Sequence, residues 1–192
     1  MARLVLASTS PYRSELLARL GVPFETATPG VDETARVGEL PAATANRLAC
    51  EKAVALAQRF PDAFIVGADQ VAEIDGEALG KPLHHATAVR QLLRCSDRTV
   101  AFHTGICLLH ATRRTIEVEV ASNRVRFRQL DESEIERYLH REQPYDCAGS
   151  AKVEGFGIVL IEALEGEDPN ALIGLPLIRL AAMLRRAGFR LP

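Results

Sequence analysis

The chain has 192 residues, 47% hydrophobic and 25% charged, with a formal net charge of −2. This composition is typical of a globular protein with a substantial core and excludes an intrinsically disordered chain. The near balance of charge predicts no binding of a nucleic-acid polymer, and no apolar run reaches the ~18 residues of a membrane span.

These bounds predict a single domain over residues 1–192 in the cytoplasm. The four cysteines lie far apart in the sequence and form no Cys-x-x-Cys pair. That spacing favours free buried thiols over a thiolate zinc site. The N-terminus lacks the basic and then apolar pattern of a secretory signal.

A buried strand that leads into a helix start opens the chain. Leu4–Ala7 predicts the strand, and Ser10 followed by Pro11 predicts the beginning of a helix that runs to Leu20. Arg13 falls in the first turn, where a cation is unfavourable for the helix dipole unless an anion binds there. We therefore predict a phosphate site formed by Ser8, Ser10 and Arg13. The alternative is an ordinary strand–helix junction with a surface arginine.

The next segments add a carboxylate and a lysine. Val22–Ala27 predicts a second strand, which makes a βαβ unit with the first. Glu33 follows Pro29-Gly30 and is either a ligand or a solvated charge. The adjacent Asp32 could be a turn residue. In a helix predicted over Pro41–Phe60, Lys52 shares a face with apolar residues. It is predicted to bind an anion, although a lysine that merely snorkels to solvent is the alternative.

Phe64–Ala68 predicts a central buried strand with Asp69 and Gln70 at its end. The pattern continues to Ile74 and reaches an Asp-Gly hairpin turn at residues 75–76. A carboxylate at this edge of a sheet suits base or metal chemistry. After the hairpin, the segment Gly80-Lys81-Pro82 is predicted to return Lys81 towards the same strand end.

The rest of the chain predicts alternating helices and strands. His84 and His85 are interpreted as surface residues, because they lack the His-x-x-x-His spacing of a helical metal pair. The alternating arginines of residues 124–128 are interpreted as a solvated sheet face. The predicted elements are a helix over His84–Arg94, strands over Thr99–Leu109 and Thr115–Arg128, a helix over Leu130–His140, a loop over Gln143–Gly155, a strand over Phe156–Ile161 and a helix over Pro176–Gly188.

The polar residues at the strand ends indicate one chemistry. Cations and hydroxyls bind polyphosphate, and carboxylates beside phosphate hold a divalent cation such as Mg²⁺ or Mn²⁺. A carboxylate can also accept a proton from an attacking water. The pattern therefore favours hydrolysis of a phosphoanhydride and leaves the nucleotide open. The set comprises Arg13, Lys52 and Lys81 as cations, Ser8 and Ser10 as hydroxyls, and Glu33 and Asp69 as carboxylates.

Six stretches in order resemble the Maf family of nucleoside triphosphate pyrophosphatases. They are Leu6–Arg13, Val31–Glu33, Glu51–Ala53, Gly67–Val71, Gly80–Pro82 and Cys147–Ser150. The resemblance implies an α/β fold of the Maf/ITPase-like kind, with two lobes, a mixed twisted sheet, flanking helices and a central cleft. It also implies a homodimer, a divalent metal held by Glu33 and Asp69, and release of pyrophosphate. Asp69 would be the proton acceptor, with the remaining polar residues around the triphosphate.

Three positions resemble the branch of the family that acts on 7-methyl-GTP. They are Tyr12, Gln70 and Glu154, where the branch that cleaves dTTP and UTP carries Arg, Thr and Gln. An aromatic ring stacks on a cationic base, and a carboxylate accepts from the guanine N1–H and amine. Tyr12 replaces the Trp expected in the 7-methyl-GTP branch. The alternatives are the dTTP/UTP activity and a non-enzymatic role, because Maf relatives are associated with inhibition of septum formation.

Overall fold

The computed structural model describes residues 2–191 and is built around one seven-stranded sheet. The order is β2-β1-β3-β5-β6-β7, and β4 pairs with β3 outside this path. β1 runs parallel to β2 and β3, whereas the other pairings are antiparallel. The predicted mixed α/β class is therefore confirmed. The strands are β1 (Arg3–Ala7), β2 (Glu25–Thr26), β3 (Ala63–Ile74), β4 (Glu77–Leu79), β5 (Thr99–His110), β6 (Thr115–Phe127) and β7 (Ile161–Gly166).

Helices cover the sheet and divide its core into clusters. One apolar cluster joins the sheet to α1 and α5, another to α2, and a third to α3 and α4. The helices are α1 (Pro11–Ala18), α2 (Pro41–Ala55), α3 (His85–Cys95), α4 (Glu132–Glu142) and α5 (Leu177–Arg186), with short 3-10 turns at Ala148–Ser150, Phe156–Leu160 and Pro169–Ile173. No helix within residues 2–191 has the length and apolar character needed to cross a bilayer.

The central strand β3 is longer than its parallel neighbour, and this difference opens the site. β1 ends at Ala7, opposite Gly67 of β3. β3 continues for seven residues beyond that point and turns at Asp75 and Gly76 into β4. β1 therefore contributes no paired residue beyond Gly67, and Asp69 lies in the unpaired part of this edge of β3, before its pairing with β4 begins at Ala72.

Two glycines let α2 approach the sheet closely. A Cβ on Gly67 would lie 2.0 Å from the Ala49 carbonyl oxygen, and one on Gly105 would lie 2.2 Å from that of Ala45. Gly105 pairs directly with Asp69 across β3 and β5. Because the backbone of α2 packs directly against the backbone of the sheet here, Lys52, one turn after Ala49, reaches the carboxylate of Asp69.

Gly105→Ala is expected to lower the free energy of unfolding by about 2 kcal/mol or more, because the new methyl group overlaps a helix carbonyl that cannot move independently. Urea denaturation of both proteins measures this change. Gly80→Ala is the matched control, since a Cβ there meets nothing within 4 Å. Equal midpoints for Gly105→Ala and the wild type would show that the contact does not constrain α2.

The strand predicted over Phe156–Ile161 is wrong. Residues 156–160 form a 3-10 helix, and β7 begins only at Ile161. The Gly157 amide donates to the Lys152 carbonyl at 3.1 Å, and a Cβ on Gly157 would lie 2.5 Å from that oxygen. The glycine thus permits a local turn that replaces the ladder.

The strand predicted over residues 22–27 is shorter in the structure and spans only Glu25–Thr26, because Pro23 lacks the N–H that a ladder needs.

All four cysteines are free, as predicted, but only Cys95 and Cys107 are buried. Burial raises the pKa of Cys95 to about 12.

The arginines of β6 and the segment after it lie on a partly exposed face, as predicted. Arg124 is exposed, and Arg126 binds Asp97 at 2.6 Å. Arg128 binds Glu134 at 3.0 Å, in the first turn of α4. Arg126 and Arg128 are therefore paired locally with carboxylates, which favours an ion-paired sheet face over a basic groove.

Candidate active site

A cleft of about 470 Å³ lies where β1 ends beside β3. Its wall combines the loop before α1, the loop after β2, α2, β3, the loop after β4 and the segment before the second 3-10 turn. Asp69 lies behind this wall, in contact with a lining side chain. The predicted residues that line the cleft are Ser8, Ser10, Tyr12, Arg13, Glu33, Lys52, Gln70, Lys81 and Glu154.

Lys52 joins two carboxylates on the floor of the cleft. Its Nζ lies 2.6 Å from Oδ1 of Asp69 and 2.5 Å from Oε1 of Glu33. The Lys52 and Asp69 side chains are only 5% and 10% exposed, whereas Glu33 is 52% exposed. Lys52 therefore does not snorkel to solvent, because it is held inside by two carboxylates.

The charges around Glu33 favour its ionised form. Partial burial acts to raise its pKa, but the bond to Lys52 and the positive charges of Lys81 and Arg13 outweigh it and lower the pKa below the usual range. The ammonium groups of Lys52 and Lys81 and the guanidinium of Arg13 all lie near enough to Glu33 to lower its pKa. The carboxylate is therefore available as a cation ligand at neutral pH.

The loop that carries Glu33 is fastened to α2 by Arg47. The Arg47 guanidinium donates to both carboxylate oxygens of Glu39 at 2.6 Å and to the Thr34 carbonyl at 3.2 Å. This bidentate bond lowers the pKa of Glu39 to about 2. Asp32 accepts from the Thr34 amide and hydroxyl, so the turn interpretation is confirmed for Asp32.

The predicted phosphate residues surround the start of α1. Ser10 is the N-cap, and its Oγ accepts from the Arg13 amide at 3.4 Å. The Ser8 Oγ accepts from the Ser10 amide at 3.1 Å, which orders the loop. Arg13 Nε donates to the Gly174 carbonyl at 2.9 Å, so the guanidinium is oriented from the opposite side of the cleft. Burial lowers the pKa of Arg13, and the charges of Asp69 and Glu33 oppose this effect.

Lys81 is exposed on a loop held by two neighbouring segments. The Gly80 carbonyl accepts from the Gly149 amide at 3.4 Å and from Gln91 Nε2 at 3.1 Å. The Leu83 amide donates to the Tyr145 carbonyl at 3.1 Å. The Cys147–Ser150 motif therefore contributes to the cleft by supporting the loop that carries Lys81.

Cys147 lines the cleft near this motif, but its thiol is not an activated nucleophile. Burial, with the charges of Asp146 and Glu154 adding to it, raises the pKa of Cys147 to about 12. The protonated thiol is a poor nucleophile. Direct attack by Cys147 is therefore disfavoured relative to attack by water.

An aromatic and acidic group forms the other end of the cleft. The Lys152 Nζ lies 5.4 Å from the centroid of the Tyr12 ring, which is a cation–π distance. Lys152 also binds Glu142 of α4 at 3.1 Å. Partial burial, with Glu142 and Asp146 adding like charge, raises the pKa of Glu154.

The segment that bears Glu154 is fixed from α4 on both sides. The Tyr138 hydroxyl accepts from the Lys152 amide at 3.0 Å, and Glu142 Oε2 accepts from the Phe156 amide at 2.8 Å. Sequence reasoning assigned no role to Lys152 or Glu142. The sequence provides no sign of this pairing, because the two residues meet only when the loop folds back on the helix.

Gln70 holds a neighbouring turn by its amide nitrogen. Its Nε2 donates to the carbonyls of Ala171 and Leu172 at 2.7 and 3.0 Å. That turn is followed by Gly174, whose carbonyl orients Arg13. Thr, which the dTTP/UTP branch carries at this position, has a shorter side chain. It would not be equivalent, because Gln70 spans the distance from β3 to the turn at Ala171 and Leu172.

The donor set suits a hard divalent cation. Glu33 and Asp69 each place a carboxylate oxygen within 2.6 Å of the same Lys52 nitrogen, so both already converge on one positive charge. Oxygen ligands of this kind are preferred by Mg²⁺ and Mn²⁺. The arrangement combines a cation site, a basic phosphate-binding surface and a buried carboxylate.

The family model and the sequence relatives match nearly the whole chain. The family model described as Maf-like protein matches residues 3–187. A Methylobacillus flagellatus protein is 54% identical over 188 residues, covering 98% of both chains, and one from Xanthomonas axonopodis pv. citri is 53% identical over the full length of both. Both relatives bear the name 7-methyl-GTP pyrophosphatase. The solved structure of the Staphylococcus aureus Ham1 protein aligns at 15% identity and a TM-score of 0.47, covering 65% of this chain and 71% of that one.

Proposed function

Because the chain belongs to the Maf family, we propose that it is an enzyme that hydrolyses 7-methyl-GTP to 7-methyl-GMP and pyrophosphate. One observation carries the proposal: Lys52 and Glu33, which are joined to the buried Asp69 carboxylate through Lys52 Nζ, line the same cleft as Tyr12 and Glu154. The first group suits phosphoanhydride hydrolysis, and the second suits a cationic purine. The names of the full-length relatives support the same reaction.

In the proposed reaction, water attacks the α-phosphorus while the bond to the bridging oxygen breaks and pyrophosphate leaves. Asp69 accepts the proton of the water. Lys52 binds Oδ1 of Asp69, which leaves Oδ2 to take the proton. The charge that develops on the phosphate oxygens is stabilised by Lys52, Lys81 and Arg13.

Glu33 and Asp69 would hold Mg²⁺ or Mn²⁺, which supplies positive charge to the phosphates when bound. Lys52 then has a second role. Its ammonium bonds to the same two carboxylates in the structure, so both are held in the positions from which they would bind a divalent cation. The serine hydroxyls and amides at the start of α1 would bind the remaining phosphate oxygens.

Recognition of the base is assigned to Tyr12 and Glu154. The Tyr12 ring already has the ammonium of Lys152 within 5.4 Å of its centroid, so its position suits a positive charge. A methylated guanine carries such a charge. Its N1–H and exocyclic amine can donate hydrogen bonds to the Glu154 carboxylate. Gln70 contributes as a positioning residue, through the turn that orients Arg13.

Tyr12→Arg combined with Glu154→Gln is expected to shift preference towards dTTP and UTP, reducing kcat/KM for 7-methyl-GTP at least about tenfold, since each lost contact is worth roughly 1 kcal/mol or more. Steady-state kinetics with 7-methyl-GTP, GTP, dTTP and UTP measure the change. Glu165→Gln, on exposed β7, is the matched carboxylate control. An unchanged substrate profile would reject this assignment, and a wild type that prefers dTTP or UTP would favour the sister activity.

Three further properties belong to the same proposal. A cytoplasmic location is supported by the four free cysteines, which suit a reducing compartment. Dependence on Mg²⁺ or Mn²⁺ is supported by the oxygen donor set and is measured by chelation and add-back. The homodimer rests on the family resemblance, and light scattering coupled to gel filtration measures it.

A further inference from the structure

Three metal-ligand side chains converge between α3 and α4. His85 is the first residue of α3, and Glu136 and His140 lie one turn apart on α4. Their ligand atoms all lie within 4.8 Å of one another. None of the three lines the 470 Å³ cleft, so the cluster is separate from the proposed catalytic residues.

The cluster is arranged around Glu136. Its Oε2 lies 2.7 Å from Nε2 of His85 and 3.5 Å from Nε2 of His140. The two imidazole rings are 5.2 Å apart between centroids. Ligand atoms around a tetrahedral Zn²⁺ at ~2.0–2.1 Å are themselves about 3.3 Å apart. The three side chains therefore need only small movements to share one ion.

His85 has the outer partner that metal-bound histidines usually have. Its Nδ1 lies 2.9 Å from the Tyr145 hydroxyl. If Nδ1 donates this bond, the Nε2 lone pair is directed towards Glu136 and His140, as a ligand requires. The 2.7 Å contact between His85 Nε2 and the Glu136 carboxylate requires either a hydrogen on Nε2 or a metal ion between the two atoms.

We propose that His85, Glu136 and His140 bind a Zn²⁺ ion, with water completing the coordination and Tyr145 orienting His85. Two imidazoles and one carboxylate select Zn²⁺ or a similar transition metal over Mg²⁺, which prefers oxygen ligands alone. The site is thus chemically distinct from the carboxylate pair of the cleft.

A Zn²⁺ ion at this place would be connected to the loop that lines the cleft. Tyr145 precedes the cleft residues Asp146 and Cys147, and its carbonyl accepts from the Leu83 amide two residues after Lys81. A bound ion would connect α3, α4 and this loop. We expect the bound form to resist thermal unfolding more than the metal-free form, because the ligand binds only the folded state.

Isothermal titration of the chelator-treated full-length protein with ZnCl₂ tests the site. One equivalent is expected to bind to the wild type and to raise its melting temperature. His140→Ala is expected to weaken the binding at least about tenfold, since even outer-shell changes cost 10–100-fold. His84→Ala, the exposed neighbour of His85, is the matched control and should bind as the wild type does.

Other variants separate this site from the cleft and the thiols. Glu33→Gln should retain the Zn²⁺ equivalent, because Glu33 belongs to the cleft. Cys147→Ser should retain it as well. Absence of a bound equivalent in the wild type, equal affinity in His140→Ala, or loss of the equivalent only in Cys147→Ser or Glu33→Gln would each overturn the proposal. These readouts do not depend on nucleotide turnover.

Discussion

Asp69→Asn is expected to lower kcat for 7-methyl-GTP hydrolysis by at least about 10²-fold, the usual effect of removing an acid–base group. The amide has nearly the same shape as the carboxylate but cannot take the proton of water. It can still accept from Lys52, whose Nζ lies 2.6 Å from Oδ1. We therefore expect the variant to fold and to bind nucleotide. Pyrophosphate release under saturating substrate measures the loss.

A second carboxylate on the same strand provides the control for Asp69. Glu73 lies further along β3 and binds His103 at 2.8 Å, outside the residues that line the cleft. Glu73→Gln should retain turnover within a few-fold. Turnover by Asp69→Asn comparable to that of Glu73→Gln would remove Asp69 from the role of proton acceptor.

Lys52→Met is expected both to abolish measurable turnover and to lower the free energy of unfolding by about 3 kcal/mol, since removing one partner leaves a buried charge uncompensated. The side chains of Lys52 and Asp69 are 5% and 10% exposed, so little solvent would screen the Asp69 carboxylate once the ammonium is removed. Urea denaturation and steady-state kinetics on the same preparation measure the two effects.

Lys81→Met separates the effect of removing a positive charge from the cleft from the effect of removing a buried partner. Lys81 lines the same cleft but is exposed, so its loss should reduce turnover while changing the free energy of unfolding by less than about 1 kcal/mol. If Lys52→Met proves as stable as Lys81→Met, Lys52 does not stabilise the fold as a buried bridge between carboxylates.

The parts of the fold that local chemistry determines could be predicted from the sequence. The turn at Asp75 and Gly76 has positive φ at both positions, 56° and 79°, as an Asp-Gly hairpin turn requires. Ser10 caps α1 with Pro11 directly after it, and Asp131 forms a capping box with Glu134. These signals each depend on neighbouring residues, which the sequence displays.

The contacts that complete the sites depend on distant segments and could not be read from spacing. His85 meets His140 of another helix, although its own helix lacks a histidine one turn away. Lys152 reaches Tyr12 only because Glu142 and Tyr138 fold the loop back. The apolar run at 156–160 suggested a strand, but the close approach of Gly157 to Lys152 favoured a 3-10 turn.

The most direct measurement is identification of the products from 7-methyl-GTP and the wild-type protein with Mg²⁺ or Mn²⁺, by ³¹P NMR. We expect 7-methyl-GMP and pyrophosphate in equal amounts, with GTP cleaved far more slowly under the same conditions. Formation of 7-methyl-GDP and orthophosphate would show cleavage of the β–γ anhydride and would contradict the proposed reaction, as would the absence of any cleavage.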